Sequence, residues 1–514
     1  MKNSKEINPR DGNRESPWQS VISSVSDATR VMAETDAFEV IIIGAGITGL
    51  TTALLLQKAG KKCLVLEAGK AGFGTTGGTS AHLNTFFDAT YPEIESDFGL
   101  HAAKEVADSG KEAMSIIASL VKEYEIDCDL EYKDGYLFSE NEKETSQLRG
   151  ILEASRRAGI AVTETETNDL PVPFEMAIRF AHQGQFHPLK YINGLIAAFQ
   201  KLGGTVLEDC FVTEHKEVDN SLEVVAGGRS FYAEQLVYAT HMPPGITAFS
   251  FRCAPYRSYV LGLRLKDKSG NYPTGLVYDM QEPYHYFRTH VVDGEPLLIV
   301  GGEDHKTGHD DPEQAFANLE KYARQYYQIE SVEYRWSSQY YIPVDGLPYI
   351  GRLAASKRNI YIATGFNGNG MMFGTISGKV ISDQILGVEN RYGDLYAPSR
   401  LKPVAGFSEF VKENADVAWH FVADRFGAED MDKFSELKKG EGKIVEFKGE
   451  QLAVYKDQQG KVTALSPVCT HAGCFVNFNA AEQSWDCPCH GGRFDTSGKV
   501  ICGPPRKDLR WVDL

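Results

Sequence analysis

The reading of this chain turns on Phe38-Glu39-Val40-Ile41-Ile42-Ile43-Gly44-Ala45-Gly46-Ile47-Thr48-Gly49-Leu50. An apolar run of strand length enters a glycine turn, and an apolar helix follows to Lys58. Gly44 permits the tight turn, Gly46 lets backbone approach a pyrophosphate, and Gly49 lets the helix pack closely on the strand. Ile47 and Thr48 open that helix, whose N-terminus presents partial positive charge to phosphate. A second strand, Lys62-Cys63-Leu64-Val65-Leu66, ends at Glu67, eighteen residues past Gly49, where a carboxylate can reach ribose hydroxyls. Strand, glycines, helix, strand and acid together predict a dinucleotide site. The motif does not separate FAD from NAD.

After Glu67 the chain runs through Ala68, Gly74, Thr75, Thr76, Thr79, Ser80, Ala81, His82 and Leu83. So many small and hydroxyl residues suit a backbone threading past an extended cofactor. Far downstream lie Asp345-Gly346-Leu347-Pro348-Tyr349-Ile350-Gly351, a strand at Asn359–Ala363, then Thr364-Gly365-Phe366-Asn367-Gly368-Asn369-Gly370-Met371-Met372 and a helix to Leu386. Together these stretches resemble the D-amino-acid oxidase/glycine oxidase superfamily of FAD-dependent oxidoreductases, over residues 38–390. The resemblance implies an α/β FAD-binding Rossmann-like domain, a doubly wound parallel sheet, with an antiparallel-sheet substrate domain roofing the isoalloxazine. It also implies that the late glycine loop, with Gly368, Gly370 and Met371, turns N–H groups to the flavin pyrimidine, where reduction places negative charge. Gly346, Gly365, Asn367 and Asn369 belong to the same wall. Leu236–His241 matches the strand returning to the cofactor, with Thr240-His241 where that family carries glycine. The other reading of the late loop, a second nucleotide site for NADPH, meets a G-x-x-G-x-G order and no acid ending a following strand.

The middle is less legible. Residues 100–160 read as helical and charged, with apolar positions at three-to-four spacing over Ala102–Lys122. His187, before Pro188 at a helix start, reads as structural. Residues 255–342 alternate apolar and polar as sheet strands do. In Tyr284-His285-Tyr286-Phe287-Arg288, alternation puts Tyr284, Tyr286 and Arg288 on one face and His285 on the other. Arg288 above a flavin would suit a bidentate carboxylate clamp; the plainer reading is an amphipathic strand with Arg288 exposed. His82 has three readings: a covalent flavin link, as in some relatives, a hydrogen bond near the flavin, or simple packing.

Near the C-terminus stand Cys469-Thr470-His471-Ala472-Gly473-Cys474 and Cys487-Pro488-Cys489-His490-Gly491-Gly492. Two loops each offering one Cys and one His supply the two thiolates and two imidazoles of a Rieske [2Fe–2S] centre; a zinc site uses the same donors. The second cysteine of each loop and the surrounding Gly and Pro resemble the Rieske domains of the respiratory and photosynthetic cytochrome bc complexes, over residues 432–514. That resemblance implies Cys469, His471, Cys487 and His490 as ligands, a Cys474–Cys489 disulfide clamping the loops, and a covering turn at Gly503-Pro504-Pro505. Where high-potential members carry Ser and Tyr, this chain has Gly492 and Phe494. Fewer hydrogen bonds to sulfur predict a potential in the lower half of the Rieske range.

The chain has 514 residues, enough for two or three domains, and a formal net charge of −17, which disfavours nucleic acid and anionic membranes as partners. No apolar run reaches transmembrane length, and the first residues lack a signal-peptide pattern. A cytoplasmic protein is expected. Five of nine cysteines follow residue 468, so no secreted disulfide framework is present; Cys63, Cys128, Cys210 and Cys253 read as small buried hydrophobes. The expected order is a polar tail over 1–35, either disordered throughout or partly ordered with Trp18 docking on the body, and an oxidoreductase body over 36–395. Within the body the FAD-binding parts fall at about 36–90, 180–250 and 343–390. A connector with a helix over Phe407–Ala423 fills 396–430, and an all-β Rieske domain occupies 431–514.

FAD beside a [2Fe–2S] cluster would convert two-electron chemistry to one-electron transport. The leading expectation is oxidation of a small amine or amino acid, carboxylate-bearing if Arg288 clamps it, with electrons passed to an external acceptor protein. Reverse flow from a donor protein is the second reading, and a non-enzymatic redox sensor or scaffold the third. A Rieske oxygenase proper lacks its 2-His-1-carboxylate set here.

Overall fold

The computed structural model describes residues 12–21, 37–218, 221–245, 247–267, 271–354, 359–400, 429–430 and 434–514. The expected connector helix over 407–423 lies outside them. The opening strand, Ala37–Ile43, is the centre of a sheet in the order Tyr349–Arg352, Asn359–Thr364, Arg229–Tyr238, Ala37–Ile43, Cys63–Leu66, Thr205–Leu207. Four of the five pairings in this order are parallel, the exception being Tyr349–Arg352 with Asn359–Thr364. An apolar run buried on both faces suits that position. Helices Ile47–Lys58 and Gly370–Leu386 pack together over one face, with Leu50, Leu54, Ile376 and Val380 in the shared core. On the other face Ile41, Leu64 and Leu236 meet Leu222 and Val224 of the Ser221–Ala226 strand.

The second sheet has nine strands and runs from Ile329–Pro343 through Cys253–Leu265, Glu295–Lys306, His285–Val292 and Leu276–Asp279 to Glu131–Ser139, Met176–Gln185 and His82–Leu83. It is the expected antiparallel sheet, apart from one parallel pairing of Leu276–Asp279 with Glu131–Ser139. The wholly helical reading of 100–160 is corrected: helices Leu100–Glu123 and Glu142–Ala158 flank the Glu131–Ser139 strand. That strand begins polar and exposed, so its period of two is masked. His285 turns away from Tyr284 and Tyr286, stacking on Tyr322 and bonding Asp279, as alternation predicts.

Trp18 is fully buried, its indole N–H donating to the Thr79 carbonyl. His187 caps the Pro188–Lys201 helix, its Nδ1 accepting from the Lys190 N–H. The C-terminal part comprises two four-stranded sheets, one over residues 429–465 and one over Asn477–Cys502. Among the described residues no helix is long and apolar enough to cross a membrane.

Candidate active site

Gly44 adopts φ +107°, and a Cβ on Gly49 would lie 1.9 Å from the Gly44 carbonyl oxygen, so the turn and helix close only with glycine there. The Glu67 carboxylate accepts from the Ala45 N–H at 2.7 Å and the Gly69 N–H at 2.9 Å. Burial raises its pKa while those N–H groups oppose the rise. From here a long cavity extends between the two sheets. Its wall includes Gly44, Gly46, Ile47, Thr48, Glu67, Ala68, Gly74, Thr75, Thr76, Thr79, Ser80, His82, Thr240, Asn367, Gly368, Asn369, Gly370 and Met371, with Tyr284 and Tyr286. The Oδ1 atoms of Asn84 and Asn367, both on that wall, are buried without hydrogen-bond partners. An extended polar cofactor with its phosphates at the glycine turn fits this cavity, and FAD is such a group. When bound, it would be held by the Gly44–Thr48 turn, the Ala68–His82 segment and the Asn367–Met371 loop.

Six expected site residues stand off the wall. Gly49 packs helix on turn, Leu83 lies in the core, and the Gly346 carbonyl accepts from Asn367 Nδ2 at 3.0 Å. Gly365 takes φ +74° where the loop turns, and Ala81 holds φ +59°. Arg288 differs from both of its sequence readings: it is neither exposed nor facing the cavity. It is fully buried, with Nη1 donating to the Ser80 and Ala81 carbonyls at 2.8 and 2.9 Å and Nη2 3.0 Å from His290 Nδ1. Trp18 closes over its guanidinium at 5.5 Å. Arg288 therefore anchors the turn containing Ala81. His82 reaches Ser80 Oγ at 2.8 Å, and burial, then Arg288, pushes it down to about 3, so the imidazole is neutral.

Sequence reasoning missed Asn84, Asp88, Tyr278, Ser258, Ser338, Gln339 and Tyr340, and also Cys502, Pro505 and Arg506 from the C-terminal part. Tyr340 and Ser338 carried a weak signal in strand alternation; the C-terminal residues carried none, since only tertiary packing brings them here. At His241, where glycine was expected, the backbone takes φ +67°. It is held by the Thr364 hydroxyl donating to its carbonyl at 2.6 Å and by Thr75 Oγ1 at 3.2 Å from Nδ1.

In the cluster loops Cys474 and Cys489 form a disulfide. Cys469 and Cys487 are free, buried and in contact; the Cys487 thiol donates to Cys469, pulling Cys469 below the ordinary thiol range. The His471 and His490 rings stand edge to face at 4.9 Å. All four ring nitrogens are buried without hydrogen-bond partners, His471 lying against the Gly245 backbone. Burial lowers both imidazoles, His490 to about 3, so both are neutral, as metal ligation requires. Two thiols and two orphaned neutral imidazoles fit a [2Fe–2S] cluster. The covering turn is in place: a Cβ on Gly492 would lie 2.7 Å from Pro505 Cγ.

The cluster loops sit directly on the cavity wall. Gln339, which lines the cavity, donates from Nε2 to the Gly491 carbonyl at 3.0 Å and to the Tyr341 hydroxyl at 3.1 Å. Tyr341 in turn donates to the His490 carbonyl at 3.2 Å and meets the His241 ring edge at 4.6 Å. Thr75, in the segment expected to follow the cofactor, donates to the Gln339 carbonyl at 3.1 Å. Further contacts fix the arrangement: the Gly245 N–H to the Pro504 carbonyl, Asn477 to the Gly308 carbonyl and Arg14 to the Ala481 carbonyl.

Residues 39–384 match the family model for FAD dependent oxidoreductases, and residues 429–512 match that for the Rieske [2Fe-2S] domain. The Bacillus subtilis (strain 168) protein YhfW, named as a Rieske 2Fe-2S iron-sulfur protein, is 33% identical over 481 residues, 93% of each chain. The gamma-glutamylputrescine oxidoreductase of Escherichia coli (strain K12) is 25% identical over 69% of this chain and 85% of its own. Among solved structures, glycine oxidase from Geobacillus kaustophilus shares the fold, with a TM-score of 0.61, 20% identity, and coverage of 71% of this chain and all of that one.

Proposed function

This chain belongs to the FAD dependent oxidoreductase family, with a Rieske [2Fe-2S] domain at its C-terminal end, and from that premise we propose that it oxidises a small amine or amino acid and relays the electrons singly to an external acceptor protein. FAD, when bound, supplies two-electron acceptance from the carbon bearing nitrogen, and the cluster, when bound, supplies one-electron transfer. The residues would divide the work as follows. The Gly44–Thr48 turn and Glu67 hold the nucleotide half of FAD. Ser80 and neutral His82 border its reactive part, and Gly370 and Met371 offer backbone N–H groups to developing negative charge, the Gly368 and Asn369 N–H groups being held by Asp88 and the Phe366 carbonyl. Cys469, His471, Cys487 and His490 hold the cluster.

One observation carries the relay: the ligand-bearing loop is bonded through its Gly491 carbonyl to Gln339, which lines the cavity, and through its His490 carbonyl to Tyr341. A cluster serving only a distant partner would need no such seat. The test is anaerobic addition of a panel of amines and amino acids to protein loaded with both cofactors. The reading expects one class of substrate to bleach the flavin bands and then to raise the Rieske EPR signal. If only an external reductant fills the cluster, with the flavin reduced after it, flow runs the other way and the proposal fails.

A further inference from the structure

With Arg288 spent on two carbonyls and covered by Trp18, it does not serve as the cation that would hold a substrate carboxylate beside the tyrosines. Among the described residues on its wall, Arg506 is the one Arg or Lys, and it lies beside Pro244, donating to that carbonyl at 3.0 Å. Tyr278, Tyr284, Tyr286, Tyr340 and Asp88 line the cavity, and a second acid, Asp304, is bonded to two of those tyrosines. Asp304 accepts from the Tyr340 hydroxyl at 2.8 Å and the Tyr284 hydroxyl at 3.3 Å through Oδ2, and the Ser258 hydroxyl also stabilises its ionised form. Asp88, on the wall, accepts from the Gly368 N–H at 2.7 Å.

Such a chamber discriminates by charge. An anion entering it would lose its hydration beside Asp88, with Asp304 one hydrogen bond behind the tyrosine hydroxyls. A cation would meet aromatic faces and would favour the ionised form of the Asp304 carboxyl. We infer that the substrate is an organic cation without a carboxylate, a mono-, di- or polyamine, whose ammonium is held between the tyrosines and Asp304. The inference rests on the amine-oxidising reading above and narrows it. Burial pushes the Asp304 carboxyl up to about 7 against the hydroxyls that hold it, consistent with a site waiting for a positive partner.

The test uses the protein loaded with both cofactors and two probes of similar shape that are not substrates: tetramethylammonium, and trimethylacetate as its anionic counterpart. Binding is read by calorimetry and by perturbation of the visible flavin bands. Tetramethylammonium is expected to bind and trimethylacetate not to bind. Asp304→Asn is expected to weaken tetramethylammonium by about tenfold, through loss of the carboxylate's charge rather than of a hydrogen bond, which this probe cannot donate. Tighter binding of trimethylacetate, or tetramethylammonium binding unchanged in both Asp304→Asn and Tyr340→Phe, overturns the inference. Should the variants not retain FAD, the two probes on the unaltered protein still decide. Because neither probe is oxidised, the two readings fail separately. Tetramethylammonium binding without any amine bleaching the flavin sinks only the oxidation. Amino acids bleaching the flavin without tetramethylammonium binding sinks only the cation site.

Discussion

Replacing Arg288 by Met keeps much of the side-chain volume and removes the charge and every donor. Three hydrogen bonds disappear, to Ser80 O, Ala81 O and His290. Bonds to a charged group contribute about 1.5–3 kcal/mol each, and two backbone carbonyls lose their donor. Opposing this, burial has lowered the Arg288 pKa from 12.5 to about 9. Removing the charge returns at most about 5 kcal/mol on that account. A net loss of about 2 kcal/mol remains, concentrated in the turn where Ala81 holds φ +59°. That turn follows the cofactor segment, so the loss is expected as roughly 30-fold weaker FAD binding, with KM for a surviving substrate little changed. The assay is FAD binding to the apoprotein by flavin fluorescence, with steady-state kinetics at saturating FAD. If Arg288→Met binds FAD normally and raises KM selectively for carboxylate-bearing substrates, Arg288 is a clamp and the reasoning is refuted.

Other outcomes follow from the same contacts. Replacing Cys474 and Cys489 together by Ala opens a loop of sequence separation 15, and should destabilise the Rieske part by about 3 kcal/mol on the chain-entropy model. Urea unfolding followed through the cluster's visible signal checks it; an unchanged midpoint contradicts it. The cluster, lacking hydroxyls at Gly492 and Phe494, should titrate in the lower half of the range of about −150 to +300 mV, and a midpoint above about +200 mV would contradict the sulfur hydrogen-bond argument. Asp304, raised from 3.8 to about 7, holds a proton in the folded protein that the unfolded chain releases between those values. Stability conferred by that proton therefore falls as pH rises through the window. Asp304→Asn should raise the melting temperature at pH 8 relative to the parent more than at pH 5; an equal shift at both shows that Asp304 does not titrate there.

Much of this was legible because the chemistry sits in short local patterns. The glycine turn from Gly44 to Gly49 and the two Cys-plus-His loops work through neighbours in sequence, and their spacing carries geometry directly. Alternation gave the faces of Tyr284, Tyr286 and Arg288, yet period two says nothing about what covers a face. Trp18, some 270 positions earlier, decides the fate of Arg288. The strand at Glu131–Ser139 was hidden because its exposed start is polar. Gln339 and Tyr341 read as ordinary strand residues until the cluster loop is laid against them, and Asp304 gains meaning only from Tyr284 and Tyr340, distant in sequence. His241 shows a milder version: the left-handed turn is kept without glycine because Thr75 and Thr364 hold it.

The central claim is that flavin and cluster exchange electrons inside one chain, across the wall formed by Gln339 and Tyr341. The most direct measurement is rapid-freeze EPR after anaerobic mixing of the loaded protein with an oxidisable amine, repeated over a wide range of protein concentration. The account predicts a cluster signal that rises as the flavin bands recover, at a rate independent of protein concentration. A rate proportional to concentration, or a bleached flavin beside a cluster that stays oxidised, would contradict it.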